Sequence, residues 1–350
     1  MSDQQHNHIT DVAGISVGHA GCETLVSGVT ALVFEQPAVG AVAILGGAPA
    51  GRDTECLAAD RLVDRVDAIV LSGGSGFGLD AATGVQAWLR EQDRGLAVGT
   101  AKVPIVPQAI CFDLLNGGDK DWGRFPPYRE LGYAAAIDAS ATNTAIGSVG
   151  GGLGATTVNF KGGIGSASGR TSYRGTVAAM ILVNALGSAT VGDGPHFWAG
   201  PFEEKAEFGG HGPAPVVSAR DRHLIWKGGP TGATGDAPDT PPHATTIGVI
   251  ATDLALTKPQ AQRLAIAAHD GFARALRLTH ALFDGDMLFA ISTGVKLLPP
   301  GPSAQIELGG IAADCVARAI ARGIFEASRP GPRYTGPQTY AEMYPRPSSE

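Results

Sequence analysis

Residues 227–253 read KGGPTGATGDAPDTPPHA-TTIGVIATD, and the change of character inside this stretch organises the chain. Residues 227–244 hold almost no apolar side chains and are rich in Gly and Pro, which predicts an exposed, flexible linker. Residues 245–253 are rich in β-branched side chains and predict a buried β-strand. A flexible linker that stops at a buried strand places Thr245 at an abrupt boundary.

A hydroxyl residue at such a boundary can cleave its own chain. The Thr245 hydroxyl can attack the carbonyl of Ala244 and form an ester, which water then cleaves to leave Thr245 as a new N-terminus. An α-amine titrates near pH ~8, so it can serve as the base that the adjacent hydroxyl needs. Two threonines at a strand start are also common without any activity, and alone they leave that structural interpretation open.

Composition and charge exclude several classes of function. The chain has 350 residues, of which 44% are apolar, and its net charge is −7. This charge gives no reason to expect nucleic acid or a membrane surface as a partner. The N-terminus MSDQQHNHITD lacks a signal segment, and no stretch approaches the roughly 20 apolar residues of a membrane helix. We therefore expect one cytoplasmic domain spanning residues 1–350.

The cysteines and histidines predict neither disulfides nor a metal site. The four cysteines form no CxxC pair and are expected to be reduced thiols; they are Cys22, Cys56, Cys111 and Cys315. The chain has no HExxH motif, and its histidines show no ligand spacing. Five of them are expected to be surface or satisfied core groups rather than catalysts: His196, His211, His223, His269 and His280.

Periodicity predicts short strands with a few helices. Strands are expected at 15–19, 28–34, 40–45, 66–74, 103–115, 176–191, 245–253 and 284–293. Helices are expected at 77–92, after a Thr257 cap with Leu264, Ala268, Phe272 and Ala275 on one face, and around Ile311, Cys315 and Ala319 up to Gly323. Strands and helices do not alternate strictly, which favours a layered α+β arrangement over a doubly wound parallel sheet.

Three further segments have an unusual composition. Residues 145–170 are rich in Gly, Ser, Ala and Thr, so the backbone there can approach a neighbour or a ligand closely. Residues from about 328 are Pro-rich and predict a loose tail or an arm. The glycines of LSGGSGFGLD (71–80) fit neither a nucleotide-binding loop nor a GxSxG elbow.

Several stretches together resemble one known family. HATTIGVIATD (243–253), followed after a helix by FDGDMLFAIST (283–293), resembles the N-terminal-nucleophile hydrolases of peptidase family S58. That family includes L-aminopeptidase D-amidase/esterases, β-peptidyl aminopeptidases and nylon-oligomer hydrolases. Further similar stretches occur in the family's order: ITDVAGISVGHA (9–20), GGAPAGRDTECL (46–57), VDAIVLSGGSGFGLDAATGV (66–85), VPIVPQAICFDL (103–114), GSVGGGLGATT (147–157) and LVNALG (182–187). The resemblance covers roughly residues 9–325.

The resemblance implies roles for particular residues. Thr245 matches the self-cleaving nucleophile, and Asn184 matches an asparagine whose amide lies near the reacting carbonyl, although a turn asparagine would look the same. Asp284 and Asp286 match an acidic pair that orients the nucleophile, although an Asp-Gly hairpin turn is also compatible. Several relatives carry a lysine at the position aligned with Asn159, where the nearest lysine here is Lys161. Lys161 is therefore a weaker candidate.

The resemblance also implies a fold and an assembly. The implied fold is a four-layer α/β/β/α sandwich, cleaved into an α chain (1–244) and a β chain (245–350) that assemble as homo-oligomers, often tetramers of cleaved pairs. The implied reaction is hydrolysis of small peptides, amino-acid amides or ω-amino-acid oligomers, with no cofactor and no metal. Two alternatives stay open: an acyltransferase of the ornithine acetyltransferase type, which the segment HAT…ATD also resembles, and a non-catalytic binding protein with an intact linker. The segment 195–213 has no assigned counterpart.

Overall fold

The computed structural model describes residues 6–229 and 244–345, so most of the predicted linker lies outside the described residues. The strands are β1 (Ile15–Cys22), β2 (Ser27–Ile44), β3 (Gly51–Arg52), β4 (Arg65–Ser72), β5 (Leu96–Val98), β6 (Ala101–Val103), β7 (Gln108–Ile110), β8 (Gly163–Arg170), β9 (Thr176–Asn184), β10 (Thr245–Leu254) and β11 (Met287–Lys296). The α-helices are α1 (Ala81–Glu91), α2 (Tyr128–Asp138), α3 (Lys258–Ala268), α4 (Asp270–Ala275), α5 (Pro302–Phe325) and α6 (Tyr340–Met343).

The long strand β2 divides the main sheet into two layers. The hydrogen-bonded order is β3-β7-β4-β2-β11-β10-β9-β8, and β1 also pairs with β2. Residues 29–33 and 38–39 of β2 pair with β4, and the register of this pairing shifts between Val33 and Ala38. Residues 39–44 of β2 pair with β11. We call β1, the first half of β2, β4, β7 and β3 the first sheet layer. The second sheet layer comprises the rest of β2 with β11, β10, β9 and β8.

Three hydrophobic cores separate four layers. One core lies between α1–α2 and the first sheet layer, and includes Val29, Val70, Val85 and Leu89. The second lies between the two sheet layers, and includes Phe34, Met180, Ile247 and Phe289. The third lies between the second sheet layer and α3–α5, and includes Ile181, Ile250, Phe272 and Val316. The order of layers is α/β/β/α, which confirms the predicted sandwich.

Strand β10 is buried along its whole length at the centre of the second sheet layer. Ile247 and Val249 face the core between the sheets, while Ile250 faces the helices. A strand with apolar neighbours on both faces needs a nearly continuous apolar sequence, which is what TTIGVIATD supplies. The predicted strand is confirmed, and it begins at Thr245.

The helix that follows β10 begins as predicted and ends earlier. The Thr257 side chain accepts from the backbone N–H of Gln260, and the Gln260 side chain accepts from the backbone N–H of Thr257. The N-terminus of α3 therefore has a capping box. The apolar face predicted to continue through Phe272 and Ala275 is divided between α3 and α4, which meet at His269. Periodicity persists across this break because both helices pack on the same core.

Other elements differ from the predictions in ways that the packing explains. The strands expected at 28–34 and 40–45 are one strand, because β2 changes partner sheet without ending. The strand expected at 103–115 is reduced to residues 108–110. Helix α2 and strand β8 were not predicted; β8 lies within the Gly-rich segment, where Gly165 approaches the carbonyl oxygen of Ala319 in α5. A side chain at that position would push α5 away from the sheet.

The described part of the C-terminal tail is packed, so the expectation of a loose tail from about 328 fails for residues 328–345. Tyr340 is 1% exposed and its ring stacks on Phe197 at 4.8 Å. Phe197 belongs to the unassigned segment 195–213, which also contributes Glu207 to an ion pair with Arg318 of α5. Aromatic residues between the prolines provide the apolar surface that composition alone obscured.

Candidate active site

Thr245 lies at the junction of three chain segments. It is the first residue of β10, is 5% exposed, and lies opposite Asn184, the last residue of β9, in antiparallel register. On the other side, Ala244 forms an isolated parallel bridge with Asp284. The Thr245 hydroxyl donates to the carbonyl oxygen of Ala244, so the oxygen lies beside the peptide group that precedes it.

Asn184 is buried and its side-chain amide is held on both ends. Its Nδ2 donates to the carbonyl oxygen of Phe112 at 3.0 Å. Its Oδ1 accepts from the backbone N–H of Thr156 at 3.0 Å and from Lys227 Nζ at 3.1 Å. Since both ends of the amide have partners, its orientation beside the start of β10 is fixed.

The acidic pair brackets Gly285 next to the Ala244–Thr245 peptide. The Gly285 N–H donates to the carbonyl oxygen of Ala244 at 3.0 Å. Asp286 Oδ1 accepts from the backbone N–H of Thr246 at 2.9 Å. A methyl group on Gly285 would lie 2.6 Å from Thr245 Oγ1, so a side chain at this position would collide with the hydroxyl.

The segment that follows β2 holds the backbone of the acidic pair through hydrogen bonds. The backbone N–H groups of Leu45 and Gly46 donate to the carbonyl oxygen of Asp286, and that of Ala48 donates to the carbonyl oxygen of Asp284. A Cβ on Gly46 would lie 2.3 Å from the Asp284 carbonyl oxygen. The first glycine of the GGAP stretch is thus required by close backbone contact with the acidic pair.

The carboxyl group of Asp284 favours its protonated form. Burial raises the pKa of Asp284, and the neighbouring Asp286 carboxylate raises that pKa further. Among the described residues, Asp284 Oδ1 has no hydrogen-bond partner. Lys227 acts in the opposite direction, and burial lowers the pKa of Lys227 itself to about 7. The pair therefore retains a proton near neutral pH, which leaves one carboxylate and one carboxylic acid beside Thr245.

Lys161 has a different environment from the other four candidates. Its side chain is fully buried, and Nζ donates to three backbone carbonyl oxygens of the Gly-rich segment, those of Gly152, Ala155 and Gly162, at 2.8–2.9 Å. Burial lowers the pKa of Lys161 to about 7. Asn159, the position aligned with the lysine of relatives, donates to the Thr190 hydroxyl. The contacts of Lys161 are those of a group that holds a loop.

Replacing Lys161 by Met is expected to reduce stability more than activity. Three buried carbonyls would lose the Lys161 donor, although those of Gly152 and Ala155 would each keep a backbone N–H donor. This loss should lower the free energy of unfolding by about 3 kcal/mol and the melting temperature by several degrees. Thermal unfolding and turnover of the surviving folded protein would measure the two effects. The exposed Lys102 offers a control, since Lys102→Met should change stability by less than about 0.5 kcal/mol. A Lys161→Met enzyme of normal stability without activity would contradict this assignment.

Four of the histidines singled out in the sequence lie in three different environments. His196 and His211 pack on each other, with ring centroids 6.0 Å apart, within residues 195–213. His269 lies in the helix-side core, where burial lowers its pKa to about 4 and its Nε2 lies 3.1 Å from the Ala43 carbonyl oxygen. His280 differs from these, because its Nδ1 lies 2.8 Å from Asp286 Oδ2.

Sequence reasoning missed Lys227, His280 and Gly285 as parts of this site. Lys227 was assigned only to the linker and His280 to the surface or the core, and their partners lie 43 and 6 residues away in sequence. No spacing rule connects Lys227 with Asn184. The Asp-Gly-Asp sequence does signal Gly285, since a glycine between two site carboxylates indicates close backbone approach.

A cavity of about 580 Å³ opens beside the segment that follows Asn184. Its wall includes Ser188, Thr190, Trp198, Arg220, His223 and Arg277. The Arg277 guanidinium lies over the Trp198 ring, 5.7 Å from its centroid. The volume is within the range of small-molecule sites, and Trp198 shows that the segment 195–213 helps to form the cavity.

Within residues 6–229 and 244–345, no group of three or more His, Cys, Asp or Glu side chains is arranged to hold a metal ion. No helix there combines the length and apolar character needed to cross a bilayer. All four cysteines are free thiols.

Comparison with known proteins identifies the family. The model of peptidase family S58 matches residues 7–334. The chain is 39% identical to an uncharacterized aminopeptidase of Mycobacterium tuberculosis, over 97% of this chain and 98% of that protein. It is 26% identical to a 6-aminohexanoate-oligomer endohydrolase of Paenarthrobacter ureafaciens, over 84% of this chain and 77% of that protein.

Solved structures share the fold. A Burkholderia sp. beta-aminopeptidase superposes with a TM-score of 0.65 at 23% identity, covering 94% of this chain and 90% of that chain. An L-aminopeptidase D-Ala-esterase/amidase from Ochrobactrum anthropi, described as a variant of the Ntn hydrolase fold, superposes with a TM-score of 0.62 at 21% identity, covering 92% and 86%. The match along nearly the whole sequence confirms the resemblance inferred from the motifs: the chain belongs to peptidase family S58 and is a hydrolase of amide bonds.

Proposed function

We propose that this hydrolase cleaves its own Ala244–Thr245 bond and then uses Thr245, as a free N-terminal residue, to hydrolyse peptide and related amide bonds. The observation that carries the proposal is the position of the Thr245 hydroxyl, which donates to the Ala244 carbonyl oxygen at the start of a buried strand. The strand holds this hydroxyl beside the bond to be broken, and proximity of this kind supplies much of the rate of an intramolecular reaction.

Self-cleavage moves the acyl group of Ala244 from the Thr245 nitrogen to the Thr245 hydroxyl oxygen and then to water. Thr245 Oγ1 attacks the Ala244 carbonyl carbon and forms a C–O bond, the C–N bond breaks, and the released nitrogen takes the hydroxyl proton. Water then hydrolyses the ester and releases the carboxyl group of Ala244. The Gly285 N–H, 3.0 Å from the Ala244 carbonyl oxygen, supports this step because it can stabilise the negative charge that develops on that oxygen.

Turnover repeats the chemistry on a substrate. The free α-amine of Thr245 takes the proton from Oγ1 as this oxygen attacks the substrate carbonyl carbon. The substrate C–N bond then breaks, the proton passes to the leaving amine, and water hydrolyses the acyl-enzyme ester to release the acid and restore Thr245. Asn184 Nδ2 carries a second hydrogen besides the one given to Phe112, and it can donate to the substrate oxyanion. Asp286 holds the backbone of Thr246, which keeps the nucleophile in register with Asn184.

The substrate class follows from the relatives. Relatives are named as aminopeptidases and as endohydrolases of 6-aminohexanoate oligomers, and the substrates in these names, peptides and 6-aminohexanoate oligomers, are chains joined by amide bonds. We therefore propose short peptides and ω-amino-acid oligomers as substrates.

Intact-mass spectrometry and N-terminal sequencing of purified active enzyme test the proposal. We expect two fragments, 1–244 and 245–350, and a smaller fragment that begins TTIGVIA. The same preparation should release amine from an aminoacyl anilide and from a 6-aminohexanoate oligomer. Active enzyme that consists only of full-length chain would exclude the mechanism, and an N-terminus at another residue would move the nucleophile.

A further inference from the structure

The turn that leads into the acidic pair has a strained backbone. Leu278 and His280 both have a positive φ, +85° and +55°. Such a conformation is unfavourable for a side chain as bulky as leucine, whereas histidine adopts it more often. Strain of this kind persists only where surrounding contacts fix it. The contacts of His280 therefore need an explanation.

His280 makes two hydrogen bonds to one oxygen of Asp286. Its backbone N–H donates to Asp286 Oδ2 at 2.9 Å, and its Nδ1 lies 2.8 Å from the same oxygen. A carboxylate only accepts hydrogen bonds, so Nδ1 carries the proton. The ring packs edge-on against His269 with centroids 4.9 Å apart, and it contacts Phe272 at 5.4 Å.

The other oxygen of Asp286 reaches the nucleophile's strand. Asp286 Oδ1 accepts from the backbone N–H of Thr246, and the residue is 0% exposed. We propose that His280 is a positioning residue of the hydrolase: through Asp286 it fixes the backbone of Thr246, and thereby the placement of Thr245 for attack. This inference rests on the proposed role of Thr245.

Asp286 and Asp284 have different surroundings. Asp286 receives three hydrogen-bond donors, whereas burial, together with the neighbouring Asp286, raises the pKa of Asp284. The other titratable groups around this pair are Lys227, which faces Asp284, and His269, which faces His280 and Asp286 from the helix side. His269 in turn lies near Asp270. Loss of the Nδ1 donor would leave Asp286 with two backbone N–H donors, those of Thr246 and His280.

Two substitutions separate the hydrogen bond from the ring packing. His280→Asn places an amide nitrogen where Nδ1 lies and tolerates the positive φ, but it loses the ring. His280→Phe keeps a ring against His269 and Phe272 but loses the donor. We expect kcat to fall about tenfold to a hundredfold in His280→Phe and less than about threefold in His280→Asn.

A double-mutant cycle with Asp286→Asn tests whether His280 acts through Asp286. If it does, adding His280→Phe to Asp286→Asn should lower kcat by less than about twofold further. Melting temperatures of all variants control for the strain that phenylalanine adds at a positive φ. A general loss of folding would instead lower the melting temperature and add to the effect of Asp286→Asn.

Several results would overturn the role of His280. A His280→Phe enzyme with wild-type kcat would do so. A His280→Asn enzyme whose kcat falls as far as that of His280→Phe, at equal melting temperature, would also do so. These results differ from a failure of the proposed function. Wild-type enzyme that is active without cleavage at Thr245 would exclude the N-terminal nucleophile whatever the His280 variants do.

Discussion

A Thr245→Ala chain is expected to stay a single full-length polypeptide and to lose at least about a thousandfold in kcat/KM. The physical reason is that the same hydroxyl is the nucleophile in two reactions, first on the Ala244 carbonyl and then on the substrate carbonyl. Alanine fits the same buried position, which is 5% exposed, so the fold should remain. A denaturing gel and intact-mass spectrometry would measure cleavage, and an aminoacyl anilide assay would measure turnover.

Two neighbouring substitutions make this experiment specific. Thr245→Ser keeps a hydroxyl and should still be cleaved. Thr246→Val removes a buried hydroxyl that has no hydrogen-bond partner among the described residues, and it keeps the β-branched shape, so cleavage and turnover should persist. Two fragments from Thr245→Ala, or cleavage lost in Thr246→Val but kept in Thr245→Ala, would show that another residue is the nucleophile.

The second large effect is expected at Asn184. Asn184→Asp keeps an oxygen for the Thr156 N–H and for Lys227, but it removes the Nδ2 donor. Loss of one donor to a developing oxyanion lowers kcat by about 10²–10³. KM should change little, because the interaction is strongest in the transition state.

Steady-state kinetics on cleaved enzyme would measure this effect. Asn159→Ala is a suitable control, since the amide of Asn159 donates to Thr190 rather than to a group at the nucleophile. That variant should keep kcat within about threefold. An Asn184→Asp enzyme with a kcat close to that of the wild type would remove Asn184 from the reaction, and a lower melting temperature would indicate that its contacts with Phe112 matter more.

The parts of the site that were predictable from sequence are those with local signals. Thr245 stands where a polar linker meets an apolar strand, and the strand is buried from that residue onward. The aspartates flank a glycine immediately before a second apolar strand, β11. Asn184 ends a third apolar strand, β9. The sequence predicts that this strand continues to 191, because neither Ala185 nor Leu186 is a residue that marks the end of a strand. Pairing of Thr245 with Asn184 sets that end.

The remaining parts depend on contacts between distant segments. Lys227 reaches Asn184 across 43 residues, and three carbonyls surround Lys161 only once the Gly-rich segment has folded. Neither contact leaves a periodic or compositional trace. The packed tail has a similar origin, because the Tyr340 ring packs on Phe160 and Phe197, which lie far away in sequence, as well as on the nearby Tyr344.

The order of strands in the second sheet layer has a consequence for the life of the molecule. β10 and β11 follow Ala244, yet they are inserted between β9 and β2, which precede it. A cut before Thr245 would therefore leave two polypeptides whose strands share one sheet. They could separate only if the hydrogen bonds of two strand pairs, β2–β11 and β9–β10, were broken. Denaturation would make recovery a second-order process that slows on dilution, whereas the uncut precursor would refold at a rate independent of concentration.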